Sequence, residues 1–448
     1  MKCLNRQDNL NHEKRCCTAM KKNSRIRKFR KAVSHLLGLL TKALFSIYCV
    51  LLYKISSKRK ILFNIVRENN FVMVAPIYHR LRSDPRLHIR FTSALCHKYQ
   101  KHLRRQMGWL RWFRYRPDRK EPALRFLKPY NIDPSKILSY RQVQWRRWDV
   151  CIEADYKSPR IELPTKSIQI FHGFSGKFTS NGQNEEIDGT INRAVAKYDR
   201  LFCFSPKHVE LFVRSGFLKR KDAALRIGFP KIDGLVDDSI SRDKVLRSYG
   251  ADPEKMSVLY APSWNPELSL NNIGEELIEL LSLRPWTLLV KLHPISRQSI
   301  GKTKGYTREN WAQFLDLRAK KRGFIHVRDQ NSSRYLKAAD VLITDHGSTL
   351  YEYMVLNRPV LYYDTPKAKS IMTMPETLSK IREAAHLFKE PQEALELLNT
   401  GNFAEAPGMA DARRQLAQER FYGVGGATER AVKAIYQLIQ LSPSATKG

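Results

Sequence analysis

From residue 61 onward, short apolar runs alternate with stretches of helical period. Residues 61–66 form an apolar run, and a helix-like stretch follows to about Leu81. Residues 87–91, 149–154, 167–171, 201–204 and 225–228 read as further strands, with a helix over 207–213. A second series begins at 257–261, with strands at 287–292, 324–327, 341–344 and 359–363 and helices at 275–283, 308–321 and 348–356. Short apolar strands alternating with helices predict parallel α/β sheets. The break near 230–255 predicts two Rossmann-like doubly wound domains facing a cleft, over 61–250 and 251–448. Ligands of such sheets sit outside the strand C-termini, so the loops there are where chemistry is sought. The C-terminal helix is expected to pack back on the first domain.

The chain before residue 61 follows a different pattern. Residues 1–34 are polar and basic, and 36–53 read LLGLLTKALFSIYCVLLY. Eighteen residues lie near the lower limit for crossing a bilayer. Lys42 at the bilayer centre would cost about 2.5–3.5 kcal/mol. Gly38, Thr41, Lys42, Ser46 and Cys49 recur about every fourth position, which gathers the less apolar residues on one helical face. With Lys54, Lys58, Arg59 and Lys60 following, this reads best as a helix lying in the plane of an anionic membrane surface. A true span and an internal packing helix are the other readings. The late start of the apolar stretch and the lack of a small-residue cleavage site argue against a cleaved signal peptide.

Composition sharpens this division. Of 448 residues, 79 are Lys or Arg and 43 Asp or Glu, a net charge of +36. Residues 1–150 hold 36 basic against 8 acidic residues, and the remainder 43 against 35. The basicity therefore belongs to one end, which seeks polyanions. Between 104 and 120, arginines interleave with Trp109, Trp112, Phe113 and Tyr115. Beside an apolar amphipathic segment this favours a membrane-facing surface over a nucleic-acid one, and no nucleic-acid partner is expected. Hydrophobic residues at 42% exclude a mainly disordered chain. The seven cysteines are scattered without disulfide or zinc spacing and read as free thiols.

The densest polar cluster follows the strand at 341–344: Thr344-Asp345-His346-Gly347-Ser348-Thr349 opens a helix. Gly347 would permit close backbone approach. Ser348 or Thr349 would cap the helix or donate to phosphate, at a helix end that favours anions. Glu352, one turn further, is placed to accept ribose hydroxyls. Three other strand ends carry related chemistry. One delivers His172-Gly173-Phe174-Ser175-Gly176-Lys177, a candidate general base with a cation for phosphate. Another delivers His293-Pro294, and a third Pro262-Ser263-Trp264-Asn265. There is no Walker loop, no G-x-G-x-x-G after the first strand, no H-E-x-x-H and no G-x-S-x-G elbow. No Asp-x-Asp pair suggests a metal site, and none is expected.

Taken in order, these segments resemble the CDP-glycerol glycerophosphotransferases of teichoic acid and capsule synthesis, over roughly residues 165–440. The matching segments are His172 to Lys177, Gly228-Phe229-Pro230-Lys231-Ile232-Asp233, Tyr260 to Trp264, His293-Pro294, Thr344 to Ser348 with Glu352-Tyr353, Asn357-Arg358-Pro359, and Ala427-Thr428-Glu429-Arg430. The resemblance implies a GT-B fold, with the second domain holding the nucleotide. It implies attachment to the cytoplasmic face of the bacterial cell membrane. It also implies metal-independent transfer of glycerol phosphate from a CDP-linked donor, without a cofactor, to a hydroxyl of a polymer or lipid-linked acceptor. His172 would be the base, and His293, Ser348 and Arg430 would hold the pyrophosphate. Phe174-Ser175, His346-Gly347, Val424 and Gly426 depart from the family pattern. These departures leave open ribitol phosphate or another polyol. Three further readings stay open: a GT-B glycosyltransferase using a nucleotide sugar, a nucleotide-sugar epimerase, which shares the two-domain architecture but suits a basic membrane anchor poorly, and a non-catalytic basic binder on the same scaffold.

Overall fold

The computed structural model describes residues 58–93, 121–139, 146–154, 165–171, 198–216, 220–297, 310–371, 377–401 and 406–442, with scattered positions between and before them. The interleaved stretch 104–120 and the segment from His172 to Lys177 lie outside the described residues.

Among the described residues, the strands form two parallel six-stranded sheets. The first comprises β1 (Arg59–Asn64), β2 (Leu87–Thr92), β3 (Val150–Glu153), β4 (Lys166–Ile170), β5 (Arg200–Cys203) and β6 (Ala224–Arg226), in the spatial order β2-β1-β3-β4-β5-β6. The second comprises β7 (Ser257–Tyr260), β8 (Thr287–Val290), β9 (Ile325–His326), β10 (Val341–Thr344), β11 (Val360–Tyr363) and β12 (His386–Phe388), in the order β12-β11-β10-β7-β8-β9. β7, β10 and β11 are buried along their whole length, which is why they read as continuous apolar runs. The chain order reverses between β1 and β3 in one sheet and between β7 and β10 in the other.

The helices that matter for the site are α1 (Glu68–Leu81), α2 (Pro206–Arg214), α3 (Arg242–Ser248), α4 (Gly274–Leu281), α5 (Trp311–Arg322), α6 (Ser332–Ala338), α7 (Ser348–Met354), α8 (Leu378–Ala384), α9 (Pro391–Asn399), α10 (Met409–Arg420) and α11 (Ala427–Leu438). Side-chain caps start several of them: Ser205 accepts from the His208 N–H for α2, and Asn310 from the Gln313 N–H for α5. One apolar core runs through the first sheet and onto one face of the second by way of Phe229, Ile232, Leu235 and Leu246. A separate cluster, with Trp286, Trp311 and Leu277, covers the other face of the second sheet.

The chain crosses between the two units twice. After β6, residues 228–248 dock on the second unit, where Arg242 forks onto Asp340 with Nε 2.9 Å and Nη2 2.6 Å from its two carboxylate oxygens. At the other end α11 packs on α1, the Tyr436 hydroxyl donates to Asp84 at 2.8 Å, and Arg80 pairs with Glu429 at 2.7 Å.

Six of the elements named above have no counterpart in the sequence pattern: β12 and the helices α3, α6, α8, α9 and α10. β12 is a three-residue edge strand with Leu387 turned to solvent, too short for a period. α6 opens on Ser332-Ser333 and is defined by its cap, the Asn331 side chain accepting from the Ser333 N–H. In the N-terminal segment, most of 36–53 lies outside the described residues. The described positions Val33, Leu36, Leu40, Leu44, Ile47, Tyr48 and Leu51 are helical and exposed. Among the described residues, no helix is long and apolar enough to cross a membrane.

Candidate active site

β7 and β10 are paired neighbours between which the chain order reverses, the position at which doubly wound sheets take a ligand in a crevice outside the strand C-termini. The β7 loop is Ala261-Pro262-Ser263-Trp264, and the β10 loop is Asp345-His346-Gly347, leading into Ser348 and Thr349 of α7. Buried polar bonds knit the two loops together. Thr344 Oγ1 donates to the Ala261 carbonyl at 2.7 Å. The Asp345 carboxylate accepts from the Ser263 N–H at 2.7 Å, from the Ser269 N–H at 3.1 Å and from the Ser269 hydroxyl. Asp345 is fully buried, and burial pushes its carboxyl up to about 6 against the opposing pull of those hydrogen bonds. Next to it, burial and the nearby Arg420 cation push the His346 imidazole down to about 4, and its Nδ1 is buried without a partner.

Gly347 occupies the N-cap position of α7 with an extended φ of −177°, and no side chain caps the helix. The cap expected from Ser348 or Thr349 is therefore absent: both lie in the first turn, with Ser348 exposed and Thr349 half-buried. A Cβ at Gly347 would meet Ser263 at 3.8 Å, ordinary contact, so the protein's own packing does not demand glycine there.

The third loop follows β8. His293 is half-buried, and its Nδ1 accepts from the Ile295 N–H at 3.2 Å, which puts the proton of the neutral ring on Nε2. Tyr306 joins this loop to that of β7. Its hydroxyl lies 3.2 Å from Ser296 Oγ and donates to the Trp264 carbonyl. The Trp264 side chain is 46% exposed beside the crevice loops. Pro262, two residues earlier, is buried. No pattern in the sequence marked Tyr306.

The structure thus gathers Pro262, Ser263, Trp264, Asp345, Gly347, Ser348 and Thr349 around one crevice, with His293 tied in through Ser296 and Tyr306. Two other sequence candidates stand at the junction of the units. Glu352 on α7 is 2% exposed and engaged at both oxygens, by the Lys231 ammonium at 2.7 Å and the Ser332 hydroxyl at 2.6 Å. Arg430 donates from Nε to the Ile227 carbonyl at 2.7 Å and from Nη2 to the carbonyls of Tyr422 and Gly423. Its guanidinium lies 5.1 Å from the centre of the Tyr422 ring. Gly228, at φ +89°, is required here: a Cβ would fall 2.3 Å from the Tyr422 carbonyl oxygen. Asp233 completes the junction, accepting from the N–H groups of Gly425, Ala427 and Thr428 at 3.0, 3.2 and 2.7 Å.

Across the cleft, β4 leads through Phe171 toward His172. At the strand ends beside it, the register aligns Asn64, Glu153 and Gln169. The buried Glu153 carboxylate accepts from Asn64 Nδ2 at 3.0 Å and from the Tyr198 hydroxyl at 2.6 Å. Single polar residues ending apolar strands gave no sequence signal. Among the described residues, no group of three or more His, Cys, Asp or Glu side chains is placed to hold a metal ion.

Two facing Rossmann-like units, with polar loops at the second switch point and a C-terminal helix returning to the first unit, define a GT-B architecture. The chain belongs to the CDP-Glycerol:Poly(glycerophosphate) glycerophosphotransferase family, whose profile matches residues 160–437. Over 214 residues it is 29% identical to the teichoic acid glycerol-phosphate primase of Bacillus subtilis (strain 168), covering 44% of this chain and 50% of that protein. Over 222 residues it is 25% identical to the teichoic acid poly(glycerol phosphate) polymerase of Staphylococcus epidermidis, covering 44% of this chain and 28% of that one. The chain thus spans about half the length, or less, of these curated relatives. A solved structure of a histidine-to-alanine variant of the wall teichoic acid polymerase TagF superposes with a TM-score of 0.57 at 17% identity, over 92% of this chain and 98% of that chain. Another TagF structure was obtained with CDPG after a 30 minute soak.

Proposed function

We propose that the protein transfers glycerol phosphate, or a related polyol phosphate, from a CDP-activated donor to a hydroxyl of a cell-surface polymer or lipid-linked acceptor. Membership of the glycerophosphotransferase family is the observation that carries this reading. The β7–β10 crevice supports it physically, as a polar cradle at the position where doubly wound sheets take nucleotides.

In the proposed step the acceptor oxygen attacks the phosphorus that bears the polyol. The bridging P–O bond breaks, CMP departs, and the acceptor proton passes to His172. Catalysis of such a step is mostly positioning and stabilisation of charge on the phosphoryl oxygens. The exposed Trp264 face suits stacking of the base, and the Ser348 and Thr349 hydroxyls suit phosphate. The His293 ring, whose Nδ1 accepts from the Ile295 N–H, suits a hydrogen bond to phosphate. Lys177 adds a cation from the first unit. These groups are side chains, so the reading needs no metal or cofactor. Asp345 positions the two crevice loops without touching the donor. Arg430 and Glu352, engaged with protein groups, hold the junction.

The reading places the enzyme on the cytoplasmic face of the bacterial cell membrane. The exposed stripe of Leu36, Leu40, Leu44, Ile47 and Leu51, followed by Lys54 to Lys60, suits an anionic lipid surface. There a lipid-linked acceptor would be presented to the cleft.

His172→Ala tests the chemistry. A lost general base should lower turnover of CDP-glycerol by about 10²–10⁴-fold. Thermal stabilisation by CDP should stay at the wild-type level. Turnover within a few-fold of wild type would remove His172 from the mechanism.

A further inference from the structure

Lys231 follows the last strand of the first sheet, in the 3₁₀ turn Pro230–Ile232. Its side chain is 9% exposed and reaches across to the second unit, where the ammonium sits 2.7 Å from Glu352 Oε1. The other carboxylate oxygen accepts from Ser332 Oγ at 2.6 Å, and the next hydroxyl, on Ser333, donates to the Lys231 carbonyl at 2.6 Å. Lys231 is thus gripped at both its backbone and its side chain by α6 and α7. The ammonium also lies 5.5 Å from the centre of the Phe229 ring, which lines its path.

Other bonds dock the same stretch on the second unit, but at different places. Lys337 Nζ donates to the Leu235 carbonyl at 2.8 Å, which reaches α6 only. Arg242 forks onto Asp340, just before the start of β10 and at the end of that strand away from the crevice. The Lys231 ammonium alone among these reaches α7, the helix whose first turn carries Ser348 and Thr349. Glu352 lies one turn from Ser348, so the lateral and rotational setting of that first turn depends on what holds the carboxylate. A buried ion pair seldom adds stability over an apolar pair of similar volume, but removing one partner leaves a buried charge uncompensated. Orientation is the contribution that such a pair makes and an apolar pair does not.

We propose that Lys231 is a positioning residue of the donor site, acting through Glu352: the first unit sets the α7 turn on which the second unit holds the CDP-linked donor. This rests on the reading that the crevice binds such a donor. It assigns the carboxylate to the junction, with its oxygens turned to Lys231 and Ser332 and away from the ribose. Donor affinity then depends on how the two units are seated against each other.

The test uses the full chain, CDP-glycerol as donor, and the variants Lys231→Met, Lys231→Arg, Glu352→Gln and the double Lys231→Met/Glu352→Gln. Lys231→Met is expected to raise the donor KM about tenfold while kcat at saturation changes less than about threefold. Lys231→Arg, which keeps a donor for the carboxylate, should return KM to within about threefold of wild type. Residues acting as one unit give non-additive losses, so the double variant should show a KM no worse than the poorer single variant. An unchanged KM in Lys231→Met, or additive losses in the double, would overturn the proposal. If Lys231→Met does not fold, the charge-balanced double variant decides: a raised KM at a wild-type unfolding temperature supports the proposal, and a wild-type KM sinks it. A wild-type protein that neither turns over CDP-glycerol nor is stabilised by CDP overturns the donor reading itself, and this inference with it. Normal donor use by the wild type and every variant overturns the inference alone.

Discussion

Asp345 and His346 are neighbours in the chain whose protonation is pushed in opposite directions by the same burial. Asp345 is raised to about 6 from an ordinary 3.8, and His346 is lowered to about 4 from 6.5. Between pH 4 and 6 the folded state takes a proton at Asp345 that the unfolded chain does not hold, so acidification favours folding through this group. Over the same range the unfolded chain protonates His346 and the folded state does not, so acidification disfavours folding through that one. Each contribution is of the order of 3 kcal/mol, and the two largely offset one another. Asp345→Asn removes one side of the balance. Relative to wild type, the variant should lose stability steadily as pH falls from 6.5 to 4, read as urea midpoints across that range. A constant difference between the two would show that the carboxyl does not titrate there. The same substitution sets an amide NH₂ against the Ser263 and Ser269 donors, so the donor KM should rise as the β7 loop loosens. His326, held to about 4 by burial against the partial compensation of Asp316, and His208, buried and lowered to about 3, add to the acid-sensitive side.

At the scale of elements, the alternation of apolar runs and helical periods located β7, β10 and β11 well because these strands are covered on both faces and carry almost no polar positions to confuse the pattern. β10 and its loop were legible down to the residue, since a fully apolar strand ends abruptly on Thr344-Asp345-His346. What was not legible was which loop residues face the crevice and which hold it together. Asp345 and Trp264 both belong to polar strand-end segments, but one is fully buried and the other half exposed, and that difference comes from tertiary packing. Glu352 read as a ribose acceptor because it lies one turn into a helix at a strand end. Its actual partners, Lys231 and Ser332, come from 121 and 20 residues away. The N-terminal apolar segment makes a prediction at this scale. Leu40→Glu/Leu44→Glu places two charges in the exposed stripe and forfeits about 1.5–3 kcal/mol of burial per leucine at a lipid surface. Binding to phosphatidylglycerol vesicles in a sedimentation assay should fall at least tenfold, with CDP binding untouched. Equal vesicle binding by the variant would move the membrane contact elsewhere.

At the scale of the molecule, the chain is two switch-point sheets joined by two crossings, and both crossings run through residues of the sequence motifs. Gly228, Lys231 and Asp233 come from one motif and Arg430 from the last. The structure brings them together at the junction, with Asp233 holding three backbone N–H groups at the start of α11 and Arg430 holding three carbonyls. Those motifs therefore build the junction between the units, while the β7, β8 and β10 loops build the candidate site.

The central claim is that this crevice takes a cytidine-linked donor through side chains. The most direct measurement is thermal stabilisation of the full chain by CDP, CMP, UDP and GDP, each with and without EDTA. CDP or CMP is expected to give a larger shift than the other nucleotides, unchanged by EDTA. A preference for UDP or GDP, or no shift with any of the four in a protein shown to be folded, would contradict it.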